Sequence, residues 1–154
     1  MRLVVAVVGK ARNLALGDAI RDYETRAARY WPLDVHEVRE ERAAGMSVEK
    51  VKEREGIRLA EKVPERAQTV ACEIGGKSLD SAQFAEFLQS AREQDRDLVF
   101  LIGGAFGLSS SVATRATMKL SLAPWTLPHE IARLVLVEQI YRAGTIVRGE
   151  PYHK

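Results

Sequence analysis

The residues best suited to chemistry lie in the C-terminal third of the chain. A glycine-rich segment, residues 103–107, directly follows an apolar run, and glycine lets a ligand approach the backbone closely. The segment lacks the Gly-Lys-Ser/Thr of a Walker loop, and its G-G-x-x-G spacing differs from the G-x-G-x-x-G of dinucleotide-binding proteins. It therefore predicts either a cofactor without the diphosphate of NAD or ATP, or simply a tight strand-to-helix turn.

Four polar residues near the C-terminus could bind a target or handle a proton: His129, Arg142, Tyr152 and His153. Each also has an ordinary structural interpretation. His129 can cap or pack in the first turn of a helix, and Arg142 is spaced to pair with Glu138 four residues before it. Tyr152 and His153 belong to a chain end, and chain ends are often frayed. The spacing alone leaves both interpretations open.

Other common catalytic sets do not occur in the sequence. Three scattered histidines and one cysteine do not form a zinc-binding set, and there is no G-x-S-x-G nucleophile elbow, so no metal is expected. Cys72 lies within an apolar β-type run, where a buried and inert thiol is usual. A single cysteine excludes an intrachain disulfide, which fits a reducing, cytoplasmic location.

The elements that must position these residues alternate between strand and helix. Short apolar runs predict strands at residues 2–8, 33–38, 69–74, 98–102 and 119–122. Helical periodicity predicts helices at residues 14–30, from 47 to about 62, from 80 or 81 onward, at 109–118 and from 128 to about 143. Asn13 and Ser47 can cap the first two, and the second is rich in Lys, Arg and Glu, which predicts a solvated outer face. Gly75-Gly76 should end the third strand, and Gly144 should weaken the end of the last helix. Such alternation indicates an α/β fold with a mostly parallel sheet flanked by helices. Ligands bind beyond the carboxyl ends of such strands, where residues 103–107 and 122–127 lie.

Size and charge limit the remaining possibilities. The 154 residues suit one domain, residues 1–154, and the longest apolar run near the N-terminus is too short to span a membrane. The formal net charge is only +2, with positive termini (residues 1–31 and 119–154) and a negative middle. If the two termini meet in space, one face could attract phosphate groups; a normally solvated mixed surface is the alternative.

The last helix carries apolar residues around most of its circumference. These residues are Ile131, Leu134, Val135, Leu136, Val137, Ile140 and Tyr141. A helix of this kind is normally buried on all sides, and the sheet of a small domain covers only one side. A second copy of the chain is the simplest cover, so we expect a homodimer.

Several motifs, taken in order, resemble a known family. They are Leu101-Ile102-Gly103-Gly104-x-x-Gly107-Leu108, Leu120-Ser121-Leu122, Thr126-Leu127-Pro128-His129, Glu138-Gln139-x-Tyr141-Arg142-Ala143 and Pro151-Tyr152-His153. With Ile74-x-Gly76-Lys77 nearer the N-terminus, this set resembles the RlmH (YbeA-like) family of the SPOUT superfamily. Members are 23S rRNA (pseudouridine(1915)-N(3))-methyltransferases, which act on helix 69 of the large ribosomal subunit. The resemblance covers the whole chain.

The resemblance implies a specific fold, cofactor and site. The fold would be a SPOUT-type α/β knot with a C-terminal trefoil knot, in a homodimer with the last helix at the interface. The cofactor would be S-adenosylmethionine, in contact with Cys72, Gly103, Leu122, Ala123, Pro124, Trp125, Thr126 and Leu127. Arg142, Tyr152 and His153 would bind the target and handle its proton, with His129 in support. We expect the backbone of Gly103 to approach the cofactor closely.

This chain departs from the commoner family pattern at two places. Cys72 stands where many relatives have leucine, and residues 123–125 differ from the commoner Ser-Lys-Met. Pro124 has no N–H and so cannot donate a hydrogen bond. Two other functions stay open on the residues alone: a nucleotide-dependent oxidoreductase, which the missing G-x-G-x-x-G disfavours, and a ribosome-binding protein without catalytic activity.

Overall fold

The structure, a computed structural model, describes residues 1–153, apart from the side chain of His153. Five strands form one sheet: β1 (Leu3–Val8), β2 (Leu33–Val38), β3 (Gln68–Ser78), β4 (Leu98–Ile102) and β5 (Met118–Ser121). Their order across the sheet is β2-β1-β4-β3-β5, and every neighbouring pair is parallel. The α/β class with a mostly parallel sheet is therefore confirmed.

Five α-helices connect these strands, and most begin where the sequence predicts. They are α1 (Leu14–Ala27), α2 (Val48–Ala60), α3 (Ser81–Glu93), α4 (Ser110–Arg115) and α5 (His129–Val147), followed by a 3₁₀ turn at Pro151–His153. Asn13 and Ser47 cap α1 and α2 with their side-chain oxygens. Asp80, rather than Ser81, caps α3, because Gln83 completes a capping box with it.

The helices cover both faces of the sheet and bury two apolar layers. On one face, Leu3, Val5 and Val7 of β1 pack with residues of α1, α3 and α5; on the other, the alternate residues of β1 pack with α2 and α4. Trp31 anchors the first layer, and its indole N–H donates a hydrogen bond to the Ile140 carbonyl at 2.9 Å. Strands β1 and β4 are buried on both faces, which accounts for their continuous apolar sequences.

Strand β3 is longer than the sequence indicates. We expected Gly75-Gly76 to end it at residue 74, but the strand continues to Ser78. Leu120 of β5 pairs with both Cys72 and Lys77, on either side of a break in the β3–β5 register. A Cβ atom at Gly76 would lie 2.7 Å from backbone atoms of Lys119 and Leu120. The glycine therefore permits two backbone segments to touch, and it does not end the strand.

The elements after β4 also differ at their ends. Helix α4 stops at Arg115 instead of residue 118, and β5 begins at Met118, one residue earlier than predicted. Leu122 consequently lies in the loop after β5 and not in the strand. The physical reason is that Thr69 and Thr117 exchange side-chain and backbone hydrogen bonds, which aligns β3 with the chain just before Met118.

Helix α5 continues past the predicted end near residue 143. We expected Gly144 to weaken the helix there, but it lies buried inside the helix, which runs to Val147. A Cβ atom at Gly144 would lie 2.4 Å from Cγ of Tyr30. The glycine is therefore needed so that the Tyr30 ring can pack directly on the helix backbone.

We expect Gly144→Ala to lower the free energy of unfolding by about 1–2 kcal/mol, although alanine favours helix by about 1 kcal/mol. The Tyr30 ring is rigid and would have to move away from the new methyl group. Urea unfolding measures the change. In a chain that also carries Tyr30→Ala, the ring is absent, so Gly144→Ala should no longer lower the free energy of unfolding. A Gly144→Ala variant as stable as the unsubstituted protein would contradict this account of α5.

Candidate active site

A cavity of about 420 Å³ lies at the carboxyl edge of the sheet. Its walls come from residues 72–74 of β3, which lie level with the end of β4, and from the glycine-rich segment after β4, the loop after β5 and the start of α5. The following residues singled out in the sequence line it: Cys72, Gly103, Leu122, Ala123, Trp125, Thr126, Leu127 and His129. Pro124 is exposed and does not line the cavity. Three separate segments of the chain are thus brought together around one space.

The glycine-rich segment folds back on itself to form one wall. The Gly107 N–H donates a hydrogen bond to the Gly104 carbonyl at 3.0 Å. A Cβ atom at Gly103 would lie 2.4 Å from the carbonyl carbon of Gly107. Gly103 is therefore required by the close approach of its own loop. Any side chain at this position would distort the loop before it reached a ligand, so Gly103→Val does not test ligand contact.

Helix α2 supports this wall from behind with a buried carboxyl group that sequence analysis missed. Glu55 is only 4% exposed, and its Oε1 accepts a hydrogen bond from the Glu41 N–H at 3.0 Å. Its Oε2 has no hydrogen-bond partner among the described residues and would lie 2.9 Å from a Cβ at Gly104. Burial raises the pKa of the Glu55 carboxyl group. A side chain at Gly104 would thus crowd both Glu55 and Cγ1 of Val8, the latter at 3.0 Å.

Lys52, one helical turn before Glu55, reaches the cavity itself. The sequence of α2 is rich in Lys, Arg and Glu, and we interpreted it as a helix with a solvated outer face. The helix does expose most of these charges, but it turns Val51, Lys52 and Glu55 inward. Val51 and Lys52 lie four and three residues before Glu55, and Leu59 lies four residues after it; this spacing is the signal that could have identified the inward face.

Cys72 lines the cavity, and its thiol is surrounded by apolar groups. Burial raises the pKa of the Cys72 thiol to about 12. A thiol of this kind stays protonated at neutral pH and is a poor nucleophile. Its position fits a packing contact, and nucleophilic catalysis by Cys72 does not fit.

We expect iodoacetamide to alkylate Cys72 at pH 8 about three orders of magnitude more slowly than a free cysteine thiol. Because the thiol pKa is raised, the thiolate fraction and therefore the rate should rise about tenfold per pH unit above pH 8. Mass spectrometry of the folded protein, with the urea-unfolded protein as control, measures both rates. Rapid labelling of the folded protein at pH 8 would contradict the burial of this thiol.

His129, the first residue of α5, lines the cavity, and one nitrogen of its imidazole ring lacks a hydrogen-bond partner among the described residues. Its Nε2 is buried, makes no hydrogen bond within the described part of the chain, and lies 3.9 Å from Oε1 of Glu40. Glu40 also pairs with Arg12, and the Arg12 N–H donates to Glu130 at 2.6 Å. The loop before α1 therefore packs against the start of α5 and holds His129 beside the cavity.

Arg142 and Tyr152 lie together but away from this cavity. Thirteen residues separate Arg142 from His129 on α5, which corresponds to about 20 Å along the helix axis. The Arg142 guanidinium donates to Oε1 of Glu138 from Nε at 3.0 Å and from Nη2 at 2.5 Å. The Tyr152 hydroxyl donates to the same oxygen at 3.0 Å, and the guanidinium lies 4.7 Å from the centre of its ring.

This arrangement fixes the protonation of both groups. The bond to Glu138 raises the pKa of Arg142, and burial together with bonds to Tyr23 and Glu138 raises the pKa of Tyr152 above its usual range. Both side chains therefore remain protonated hydrogen-bond donors at neutral pH. A proton acceptor must come from another group. The side chain of His153, singled out in the sequence for this role, lies outside the described residues.

Two clusters of apolar side chains, one on α5 and one beside the cavity, are partly exposed. On the outward face of α5, Ile131, Leu134 and Val135 are half-buried and belong to neither apolar layer. At the mouth of the cavity, Ile74, Phe106 and Trp125 are 57%, 44% and 76% exposed. Patches of this kind mark surfaces that bind another molecule.

The described residues show no sign of two other kinds of site. Within residues 1–153, no three His, Cys, Asp or Glu side chains are grouped so that they could hold a metal ion. No helix in the same range is long and apolar enough to cross a bilayer.

Comparison with known proteins identifies close relatives of this chain. The family described as "Predicted SPOUT methyltransferase" matches residues 1–153. "Ribosomal RNA large subunit methyltransferase H" of Gemmatimonas aurantiaca is 58% identical over 154 residues, which cover all of both chains. The protein of the same name from Clostridium beijerinckii is 38% identical over 159 residues, again across both whole chains.

Solved structures share the fold at much lower sequence identity. A probable methylase family protein from Haemophilus influenzae superimposes with a TM-score of 0.57 at 10% identity, over 99% of this chain and 70% of that one. A probable methyltransferase from Bordetella pertussis superimposes with a TM-score of 0.56 at 11% identity, over 92% of this chain and 95% of that one. These similarities concern the fold alone.

Proposed function

This chain belongs to the SPOUT methyltransferase family, and we propose that it transfers the methyl group of S-adenosylmethionine to 23S ribosomal RNA. The observation that carries the proposal is the cavity that residues 72–74 of β3 form together with the segments after β4 and β5. The full-length relatives, named as methyltransferases of large-subunit ribosomal RNA, support the RNA substrate.

The cavity fits the cofactor in size and in the chemistry of its walls. Its volume of about 420 Å³ is within the usual range for small-molecule sites. Leu122, Leu127 and Ile102 offer apolar surface for a nucleoside, and Lys52 and Glu73 add charge. The residues that we propose as cofactor contacts are Cys72, Gly103, Leu122, Ala123, Trp125, Thr126 and Leu127, with Pro124 shaping the loop between them.

The proposed target is N3 of a pseudouridine of the 1915 type in helix 69. The cofactor, when bound, supplies a methyl group already activated by the sulfonium, so the protein mainly has to align the target with it. The imide nitrogen becomes a good nucleophile only when its proton leaves. Arg142 would stabilise the resulting anion and Tyr152 would hold the base as a donor or stacking surface. His153 would accept the proton, and His129 would support the target from the cavity wall.

A homodimer would bring these two groups of residues together. In a single chain, the cavity and the Arg142–Tyr152 pair are separated by about 20 Å along α5. Ile131, Leu134 and Val135 provide an apolar face on that helix, and two-fold pairing of such faces is the commonest dimer geometry. The C-terminal turn of one subunit would then complete the cavity of the other.

We also infer that the C-terminal part of the chain is knotted and that the protein works in the cytoplasm, where ribosomes are found. What supports the proposed trefoil knot is that the chain belongs to the SPOUT family. The knotted segment would include the close contact between β3 and β5. Leu120 pairs with residues before and after the β3 irregularity, and Gly76 packs against the β5 backbone.

Incubation with labelled S-adenosylmethionine and ribosomes, followed by nucleoside analysis, tests the function. The ribosomes should come from cells that lack the corresponding methyltransferase. We expect one methyl group per large subunit, recovered as N3-methylpseudouridine. Methyl transfer to another nucleoside would reject the proposed target. Ribosome binding without methyl transfer would favour a non-catalytic binding protein, and nicotinamide-dependent redox activity would favour an oxidoreductase.

A further inference from the structure

Lys52 of α2 brings a positive charge to the cavity, and the site described above gives this side chain no role. It lines the cavity, and its side chain is only 18% exposed. The nearest carboxylate oxygen, Glu49 Oε1, lies 3.6 Å from Nζ, and the Glu49 side chain is itself 67% exposed. Among the described residues, the Lys52 ammonium makes no hydrogen bond. The ion pair with this exposed carboxylate is long and only partly offsets the cost of burying the ammonium, so the position favours an anionic ligand.

Glu73 and Cys72, which also line the cavity, do not supply a free charge that competes with Lys52. Glu73 pairs with Lys119 at 3.0 Å, and the Cys72 thiol stays protonated because burial raises its pKa to about 12. Of the lysine and arginine side chains among the described residues, Lys52 alone lines the cavity. It is therefore the side chain best suited to bind an anionic group of a ligand there.

The position of Lys52 is fixed by the packing of α2. Glu55, one turn further along, lies buried against Gly104, so the inward face of α2 is held against the glycine-rich segment. A rigid helix consequently delivers the ammonium to the cavity, and no loop has to move. This wall is separate from the apolar residues Leu122 and Leu127, which follow β5.

We propose that Lys52 binds the carboxylate of the cofactor's methionine portion and so sets the direction in which the cofactor lies. This inference depends on the proposed function, because it takes S-adenosylmethionine as the ligand. The carboxylate is the one anionic group of that molecule, and its nucleoside portion is uncharged. An ammonium at one wall and apolar side chains at another would place the two ends in opposite parts of the cavity.

Calorimetric titration of the whole protein with two ligands tests the assignment. S-adenosylmethionine has the carboxylate, and 5′-methylthioadenosine keeps the nucleoside without the amino-acid portion. We expect Lys52→Met to weaken binding of S-adenosylmethionine about 10- to 100-fold and to leave the affinity for 5′-methylthioadenosine within about twofold. Lys52→Arg should retain most of the affinity. Lys50→Met, at an exposed position of the same helix, should change neither ligand.

Three results would overturn the assignment. An equal loss for both ligands would mean that Lys52 only shapes the cavity. Unchanged affinity for S-adenosylmethionine, with weaker binding of a helix 69 RNA stem-loop, would assign Lys52 to an RNA phosphate instead. If the unsubstituted protein binds neither ligand, the proposed function fails and this inference fails with it.

Discussion

Val135→Glu is expected to convert the protein from dimers to monomers and to reduce methyl transfer at least 100-fold. Val135 lies on the outward face of α5 with Ile131 and Leu134, and these half-buried side chains contact neither apolar layer. A two-fold interface would bury the new carboxylate twice, and each unpaired buried charge costs several kcal/mol. Methyl transfer would fall because the cavity of one subunit would lose the C-terminal turn of the other.

Sedimentation at micromolar concentration measures the association, and circular dichroism shows whether the variant stays folded. Ile57→Glu is a matched control, because Ile57 is 62% exposed on α2, which covers the opposite face of the sheet. It should leave the dimer intact. An unsubstituted protein that sediments as a monomer, or a Val135→Glu protein that remains a fully active dimer, would refute the proposed interface.

The parts of the fold that follow from local chemistry could be predicted from the sequence. Strands β2 and β4 have the predicted bounds, because each apolar or alternating run is bounded by proline, glycine or charge. Asn13 and Ser47 were identifiable as helix caps because a side-chain oxygen satisfies the free N–H groups of the next turn. These features depend on neighbours within a few residues.

The features that depend on distant contacts could not be predicted in this way. Glycine is a residue type that often ends a helix, so Gly144 suggested a helix end. Its presence inside α5 is explained only by the Tyr30 ring, which lies more than a hundred residues earlier in the chain and packs against it. Gly76 likewise suggested the end of a strand, whereas it is the contact point of β3 with β5. In both cases the missing side chain makes room for another part of the chain.

In the candidate site, too, the features that depend on local sequence were predictable and those that depend on distant packing were not. The resemblance to a family singled out Cys72 within β3 and residues after β4 and β5, and most of these line the cavity. Lys52 and Glu55 were not identified, because charged residues on a helix are usually solvated and their inward direction depends on how α2 packs. Arg142 and Glu138 were recognised as a local pair from their spacing, and the contact of Tyr152 with them required the fold of the C-terminal turn.

Deletion of residues 151–154 is expected to reduce methyl transfer at least 100-fold and to leave the dimer and the affinity for S-adenosylmethionine unchanged. The deleted turn carries Tyr152, which bonds to Glu138 and stacks with Arg142 far from the cavity of its own chain. Loss of these contacts should cost only about 1–2 kcal/mol of stability. Activity assays, calorimetry and urea unfolding measure the three properties. Full activity of the shortened protein would exclude a role for the C-terminal turn.

Mixed dimers distinguish a site shared between subunits from a site within one. Ala105 is an exposed residue that lines the cavity, so Ala105→Trp should block cofactor binding without disturbing the core; calorimetry verifies this. An Ala105→Trp subunit keeps its C-terminal turn, and a shortened subunit keeps its cavity. If the site is shared, one of the two sites in the mixed dimer is whole, and an equal mixture that re-associates freely should recover about one quarter of full activity. If each C-terminal turn serves its own cavity, every site carries a defect and the mixture should be as inactive as its components.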